Sequence, residues 1–348
     1  MHKIYILFLF TVVLTACKYD STITPEQGKI KISAILDLSG HYSQFGLESK
    51  QALELMSGSN KKLQITFYDS QGLSAIADSL LNSIISKNEK TSIVTLLSWI
   101  SNDLANKIAQ HNLLQIAIGS AAFNKSELQS SIKMTQGVES ESTYLIDKLK
   151  IFNKIAVMYF DNDYGISWNS YLATGLGSKI VASEKYLDTQ TDFTTELSRI
   201  EQKKPEVIVL ISTREAGLIV KQATSLGITA QFYGTRPILT NELLAEPSAQ
   251  DLIFTYPKID YTYSHIGEFQ LKYGYKPDSF VAETIDLCNL LINAANSAKY
   301  SRDEVYKFVK NSTLRGAFNL ITFDNLCQAN YEYTLMKVKN GSFEELQP

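Results

Sequence analysis

Short, nearly continuous apolar runs recur between residues 30 and 233, each bounded by polar or glycine positions. Runs at 30–36 (IKISAIL), 63–68 (LQITFY), 92–97 (SIVTLL), 114–118 (LQIAI), 154–159 (KIAVMY), 206–211 (EVIVLI) and 230–233 predict strands covered on both faces. Amphipathic spacing predicts helices over 45–57, 73–87, 101–111, 139–151, 166–177, 192–203 and 214–226, with a more apolar one at 279–298. Strand–helix alternation of this kind folds into right-handed βαβ units and parallel sheets. It runs twice, over about 30–118 and again over 154–233. The fold class read from it is α/β, with two doubly wound parallel-sheet lobes whose ligand sites lie outside the carboxyl ends of the strands.

The amino-terminal pattern is of another kind. After Lys3, Ile4 to Leu14 is a largely apolar run of eleven residues, short for a bilayer span but typical of a signal-peptide core. Leu14-Thr15-Ala16-Cys17 then resembles the bacterial lipobox, which implies cleavage before Cys17 and acylation there. Two or three acyl chains anchor stably, since each buried CH₂ contributes roughly 0.8 kcal/mol. The competing reading is an ordinary secretory signal with an incidental cysteine. Lys18 stands where an aspartate would resemble an inner-membrane retention signal, which in a two-membrane bacterium favours the outer membrane. Residues 18–29 are polar, with Pro25 and Gly28, and read as a flexible tether. The expected location is the cell envelope, on the extracytoplasmic side of a membrane, in the periplasm or at the cell surface.

Composition narrows the function classes. Apolar residues make up 45% and charged residues 20% of the chain, and the net charge is −3 with no basic run, so nucleic acid is not an expected partner. Cys288 lies in an apolar helical pattern and reads as a buried thiol, with pairing to Cys327 as the alternative. Beyond the signal segment the histidines are His41, His111 and His265, and none has metal-ligand spacing. No nucleophile elbow or P-loop occurs. Gly175-Leu176-Gly177-Ser178 reads as a helix C-cap rather than a dinucleotide loop, and Asp161 and Asp163 as turn and N-cap residues. Neither catalysis nor a cofactor is expected.

Several segments taken in order resemble the type I periplasmic binding proteins, in particular the leucine/isoleucine/valine-binding branch. Ile30 to Gly46 (IKISAILDLSGHYSQFG) is similar to the family's opening strand, its Ser39-Gly40 turn and its aromatic-glycine pair, Phe45-Gly46. Asp69-Ser70-Gln71-Gly72 resembles its D-x-x-G turn, and Asp161 to Gly165 its D-x-x-Y-G. Thr191-Asp192-Phe193 followed by Pro205-Glu206-Val207 is similar to its D-F…P-D-x-V run, and Phe323-Asp324 and Asn340-Gly341 echo its closing segment. The resemblance covers 30 to 343 and implies a bilobal clamp with a three-strand hinge, the chain crossing near 141, 256 and 320. Lobe 1 would comprise 30–141 plus 257–320, and lobe 2 142–256 plus 321–348. A monomeric clamp of this kind would hold a small ligand, an amino acid or related small carboxylate, and present its closed form to an ABC permease in the membrane.

Carried over residue by residue, the resemblance places the ligand carboxylate at Ser98, Ser101 and Ser120, near the start of a helix whose unpaired N–H groups suit an anion. Simple helix capping is the alternative for each serine. Ala122 stands where the family often has threonine. Phe45 and Tyr164 match aromatic positions on opposite lobes, and Trp99 adds a third ring. Ser212 replaces a common aromatic residue. Arg236 falls where relatives place an acid against the ligand ammonium, which would favour a ligand with an extra acidic or carbonyl group. The alternative is that Arg236 turns outward or pairs with Glu215 or Glu242. These departures also feed a second functional reading, an envelope lipoprotein that senses a ligand or activates a partner without transport.

Overall fold

The computed structural model describes residues 28–88, 90–123 and 131–346. The expected signal segment 1–17, with the expected acylation position Cys17, and the expected tether up to Gln27 lie outside the described residues.

The first sheet contains β1 (Ile30–Leu36), β2 (Leu63–Asp69), β3 (Ser92–Leu96), β4 (Leu114–Ile118) and β5 (Ser131–Lys133). Helices α1 (Ser43–Ser59), α2 (Ser74–Ser86) and α3 (Ser98–Gln110) connect its first four strands, and α4 (Val138–Leu149) leads onward. A second sheet contains β6 (Ile155–Phe160), β7 (Ile180–Tyr186), β8 (Val207–Ile211), β9 (Gln231–Gly234) and β10 (Ile253–Pro257). Here α5 (Asp163–Leu176), α6 (Thr194–Glu201), α7 (Glu215–Ser225) and α8 (Asn241–Ala245) follow the successive strands. The chain then forms α9 (Ser264–Tyr273), α10 (Ser279–Asn296) and α11 (Arg302–Lys310). It ends with β11 (Leu314–Gly316), β12 (Asn319–Phe323) and β13 (Ala329–Asn330) in a small antiparallel sheet, and the hairpin β14 (Tyr333–Lys339) and β15 (Ser342–Glu345).

The two large sheets are topological twins. The first runs β2-β1-β3-β4-β5 and the second β7-β6-β8-β9-β10, all parallel, with β14 and β15 added antiparallel beyond β10. Their central strands explain the continuous apolar runs: β3, β4 and β8 are buried at every position because helices cover both faces. Strand order reverses between β1 and β3 and between β6 and β8, and these switch points open the crevices in which such sheets bind ligands.

The strand and helix expectations hold to within a few residues, with the largest shifts at helix starts: α3 begins at Ser98 and α5 at Asp163. The N-cap of α5 is Asn162, between the two aspartates, its side chain accepting the Tyr164 and Gly165 N–H groups. Gly177 ends that helix at φ 54°, as a C-cap. Cys288 and Cys327 are both buried free thiols, which excludes the disulfide alternative.

Candidate functional site

Both lobes build their crevice by the same local device. In α1 a β-carbon on Gly46 would lie 1.7 Å from the Asp37 carbonyl oxygen, and in α5 one on Gly165 would lie 2.0 Å from that of Phe160. Only glycine lets each helix start so close beneath its strand, and the preceding aromatic, Phe45 or Tyr164, is thereby set at the mouth of the sheet. The loop after β1 is fixed by Asp69 of the D-x-x-G turn. Its carboxylate accepts the Leu38, Ser39 and Gln71 N–H groups and the Ser39 hydroxyl. Burial is the largest single effect and raises its proton affinity, but those contacts together outweigh it and hold the pKa below the ordinary aspartate value.

Along the rim, this loop reaches lobe 2 directly. His41 Nε2 lies 2.6 Å from Glu215 Oε1, Arg214 donates to the His41 carbonyl (3.0 Å), and Tyr42 donates to Asp188 Oδ2 (2.9 Å). Further along, Asn102 donates to Asp163 (3.0 Å) and the Asn241 N–H to Gln44 (3.2 Å). The Glu215 hydrogen bond raises the His41 pKa, with burial opposing. Glu215 itself lies below the usual glutamate range because His41 and Thr213 outweigh its burial.

In the interior, Arg236 of lobe 2 is paired with Glu283 of α10, and both side chains are buried. The guanidinium also lies over the Phe280 ring, 5.0 Å from its centroid, and Phe280 is stacked on Phe45 at 4.5 Å. Arg236 therefore turns neither outward nor to Glu215 or Glu242; Glu242 pairs with Arg214 instead. Glu283 Oε2 accepts the Gly119 N–H and the Thr135 hydroxyl (2.8 Å each), and Tyr331 donates to Oε1 (3.3 Å). Glu141 lies behind, accepting the Arg236 N–H (3.1 Å) and the Thr255 hydroxyl (2.5 Å). Burial alone would lower the Arg236 pKa, but Glu283, Tyr331 and Glu141 outweigh it and hold the guanidinium charged. Burial dominates at Glu141 and raises its pKa despite Arg236.

The remaining predicted positions separate into two groups. Ser98, Trp99 and Ser101 stand on the first turn of α3 rather than in a loop, after Leu97 at φ 72°, a strained conformation for a branched residue. Ser98 accepts the Ala122 N–H (3.1 Å), so Ala122 contributes backbone. Trp99 donates to the Gly72 carbonyl and packs on Tyr42, placing it under the rim. Ser101 and Ser120 are drawn inward into a buried hydroxyl chain with Thr95 (2.8–2.9 Å). Ser212 is likewise interior, accepting the Tyr186 hydroxyl at 2.7 Å. Arg236 lies over Phe280, which stacks on Phe45, while Tyr164 packs beside Phe160 and Trp168. Glu283, Thr135, Thr235 and Phe280 were not singled out in the sequence. The available signal was a carboxylate inside the apolar stretch Phe280–Ile285, since a buried charge requires a partner.

Twin parallel sheets whose switch-point loops face one another and engage through both rim and interior define a bilobal ligand-binding fold. The chain belongs to the periplasmic binding protein family, whose model matches residues 29–342. Its matched relatives are binding proteins rather than enzymes. A Leu/Ile/Val-binding protein homolog of Brucella abortus is 23% identical over 284 residues, 75% of this chain and 76% of that protein. An extracellular ligand binding receptor from Desulfohalobium retbaense superimposes with a TM-score of 0.87 at 31% identity over 92% of this chain; the chain spans 60% of that one. A solute binding protein of an ABC transporter from R. palustris, in complex with benzoate, gives a TM-score of 0.84 at 14% identity, covering 91% and 95% of the two chains.

Proposed function

We propose that this protein is the lipid-anchored, extracytoplasmic solute-binding subunit of an ABC-type importer, closing its two lobes around an amino acid or related small carboxylate. The observation that carries this reading is the pair of facing switch points, bridged at the rim by His41–Glu215 and in the interior by Arg236–Glu283. A site assembled from two lobes couples ligand contacts to lobe approach, the differential affinity that a population shift requires. Relatives that bind amino acids or benzoate support the small-acid class. The hinge is assigned to the three passages near 141, 256 and 320, and the anchor to Cys17, from which the tether would hold the clamp near a permease.

The test is native mass spectrometry of the purified mature protein, together with a thermal-shift screen of amino acids and carboxylic acids. Saturable binding with a rise in melting temperature is expected; a protein that carries and acquires no small molecule would sink the proposal. Cys17→Ser is expected to abolish both acylation and cleavage, read by mass spectrometry as loss of the lipid mass and retention of residues 1–16.

A further inference from the structure

Between the lobes, the chain's own side chains fill one another's needs. Phe45 stacks on Phe280 of α10, and the Arg236 guanidinium of lobe 2 lies over the Phe280 ring in turn. A β-carbon on Gly119, at φ +58°, would lie 2.4 Å from that ring, so glycine lets α10 approach the end of β4. One helical turn on from Phe280, the Glu283 carboxylate accepts from the Gly119 N–H, the Thr135 and Tyr331 hydroxyls and the Arg236 guanidinium. A carboxylate offers about four acceptor sites, so these donors saturate it. Exposure is 0% at Glu283, 1% at Phe45, 2% at Phe280 and 3% at Arg236. Side chains lining a ligand-sized chamber would show more of their surface; these are enclosed by each other.

The rim repeats the arrangement nearer solvent. His41, Tyr42, Asn102 and Gln44 of lobe 1 meet Glu215, Asp188, Asp163 and the Asn241 N–H of lobe 2, and Arg214 reaches back to the His41 carbonyl. Rim and interior contacts act in the same direction, and lobe separation must break both before a ligand can pass. The interior contact is built asymmetrically. Glu283 keeps its Gly119 and Thr135 donors when the lobes part, because all three belong to lobe 1. Arg236 loses both its carboxylate and its place over Phe280. One half of the latch is thus preorganised, which lowers the cost of closing it again.

We infer that the clamp latches on itself: α10 supplies a built-in occupant of the crevice, Arg236 closes on Glu283, and the lobes stay shut without cargo until a ligand displaces this contact. This rests on the binding-protein reading and adds a control on entry to the same site. Closure then reports the state of the latch rather than the presence of cargo.

The test is single-molecule fluorescence energy transfer between dyes on Ser83→Cys in α2 and Lys221→Cys in α7, both exposed positions, while Cys288 and Cys327 are buried. The mature protein is unfolded, dialysed and refolded, and native mass spectrometry verifies that it carries no small molecule. A high-transfer population is expected, with open molecules fewer than about one in ten. Arg236→Met/Glu283→Gln is expected to lower the closed-to-open ratio by about tenfold or more, within the coupling range of contacting groups. Tyr42→Phe/Glu215→Gln leaves the interior untouched and is expected to lower the ratio by a smaller factor, which keeps the test sound if the interior variant misfolds. Cargo-free wild-type protein that is mostly open overturns the inference; if L-leucine or benzoate then closes it, the binding-protein reading stands. An equal ratio in the wild type and both variants overturns it as well. A protein that binds no small molecule in the screen sinks the binding-protein reading instead, and the transfer values still decide the latch.

Discussion

Replacing Arg236 by methionine tests whether the interior ion pair holds the lobes together. The substitution keeps most of the side-chain volume but leaves Glu283 buried, with the Gly119, Thr135 and Tyr331 donors as its remaining support. Removing one partner of a buried pair costs about 3–5 kcal/mol, chiefly because the other charge stays in a low-dielectric interior. With an unfolding entropy near 2.1 cal/mol/K per residue, a body of roughly 320 residues loses about 4–7 °C in melting temperature. Glu283→Gln alone strands the guanidinium and is expected to cost a similar amount. The double variant Arg236→Met/Glu283→Gln removes both charges while the glutamine oxygen can still accept from Gly119 and Thr135. It is expected to recover at least about 2 kcal/mol relative to the sum of the single losses. The assay is chemical denaturation of the four proteins, followed by tryptophan fluorescence and circular dichroism. Strict additivity of the two single losses would refute the reasoning, since it would mean that the groups do not depend on each other.

Two further predictions concern the helix starts and the rim. Gly46→Ala and Gly165→Ala place a methyl group within 1.7 and 2.0 Å of a carbonyl oxygen and are expected to lower the melting temperature sharply or prevent folding. Gly267→Ala in α9 meets nothing within 4 Å and is expected to be neutral or to stabilise by about 0.5–1 kcal/mol. The His41–Glu215 contact is expected to give rim closure a pH window. His41 has a raised pKa, so its contribution is complete below about 6.5 and is lost as pH rises through the raised value. Glu215 has a lowered pKa, so its contribution is present above about 4.5 and is lost as pH falls through the lowered value. Fluorescence energy transfer between labels on the two lobes should therefore be highest in mildly acid buffer, and Glu215→Gln should flatten the profile; an unchanged profile would remove the pair from the closing equilibrium.

The parallel core was legible because helices cover it on both faces and so make its strands continuous apolar runs. The edges were not. β7 reads IVASEKY, mixing exposed and half-buried positions, and β5 has three residues, so neither produces a run. β11 to β15 form antiparallel hairpins and a small sheet after the strand–helix rhythm has ended. At the site, residues fixed by backbone demands were readable: Phe45-Gly46 and Tyr164-Gly165 mark the two helix starts. The serines were harder, because a hydroxyl after a strand can face the crevice or join an interior chain. Ser101 and Ser120 took the second course, drawn to Thr95. Arg236 could not be matched to Glu283 by spacing, since the partner lies 47 positions away on a helix of the returning chain.

The placement of β14 has a consequence for the order in which the protein can be completed. Until Tyr333–Lys339 is available, β10 is the last strand of its sheet, and its outward edge offers unpaired amide and carbonyl groups along the largely buried segment IFTYP. A chain delivered amino-terminus first would carry that bare edge while α9, α10 and α11 are still arriving. The interval between β10 and β14 is thus a period of exposure to wrong strand pairing, closed only when the final hairpin docks. Nonsense or frameshift changes after residue 257 but before 333 would make that exposure permanent, leaving a lobe with most of its parallel sheet and an adhesive side.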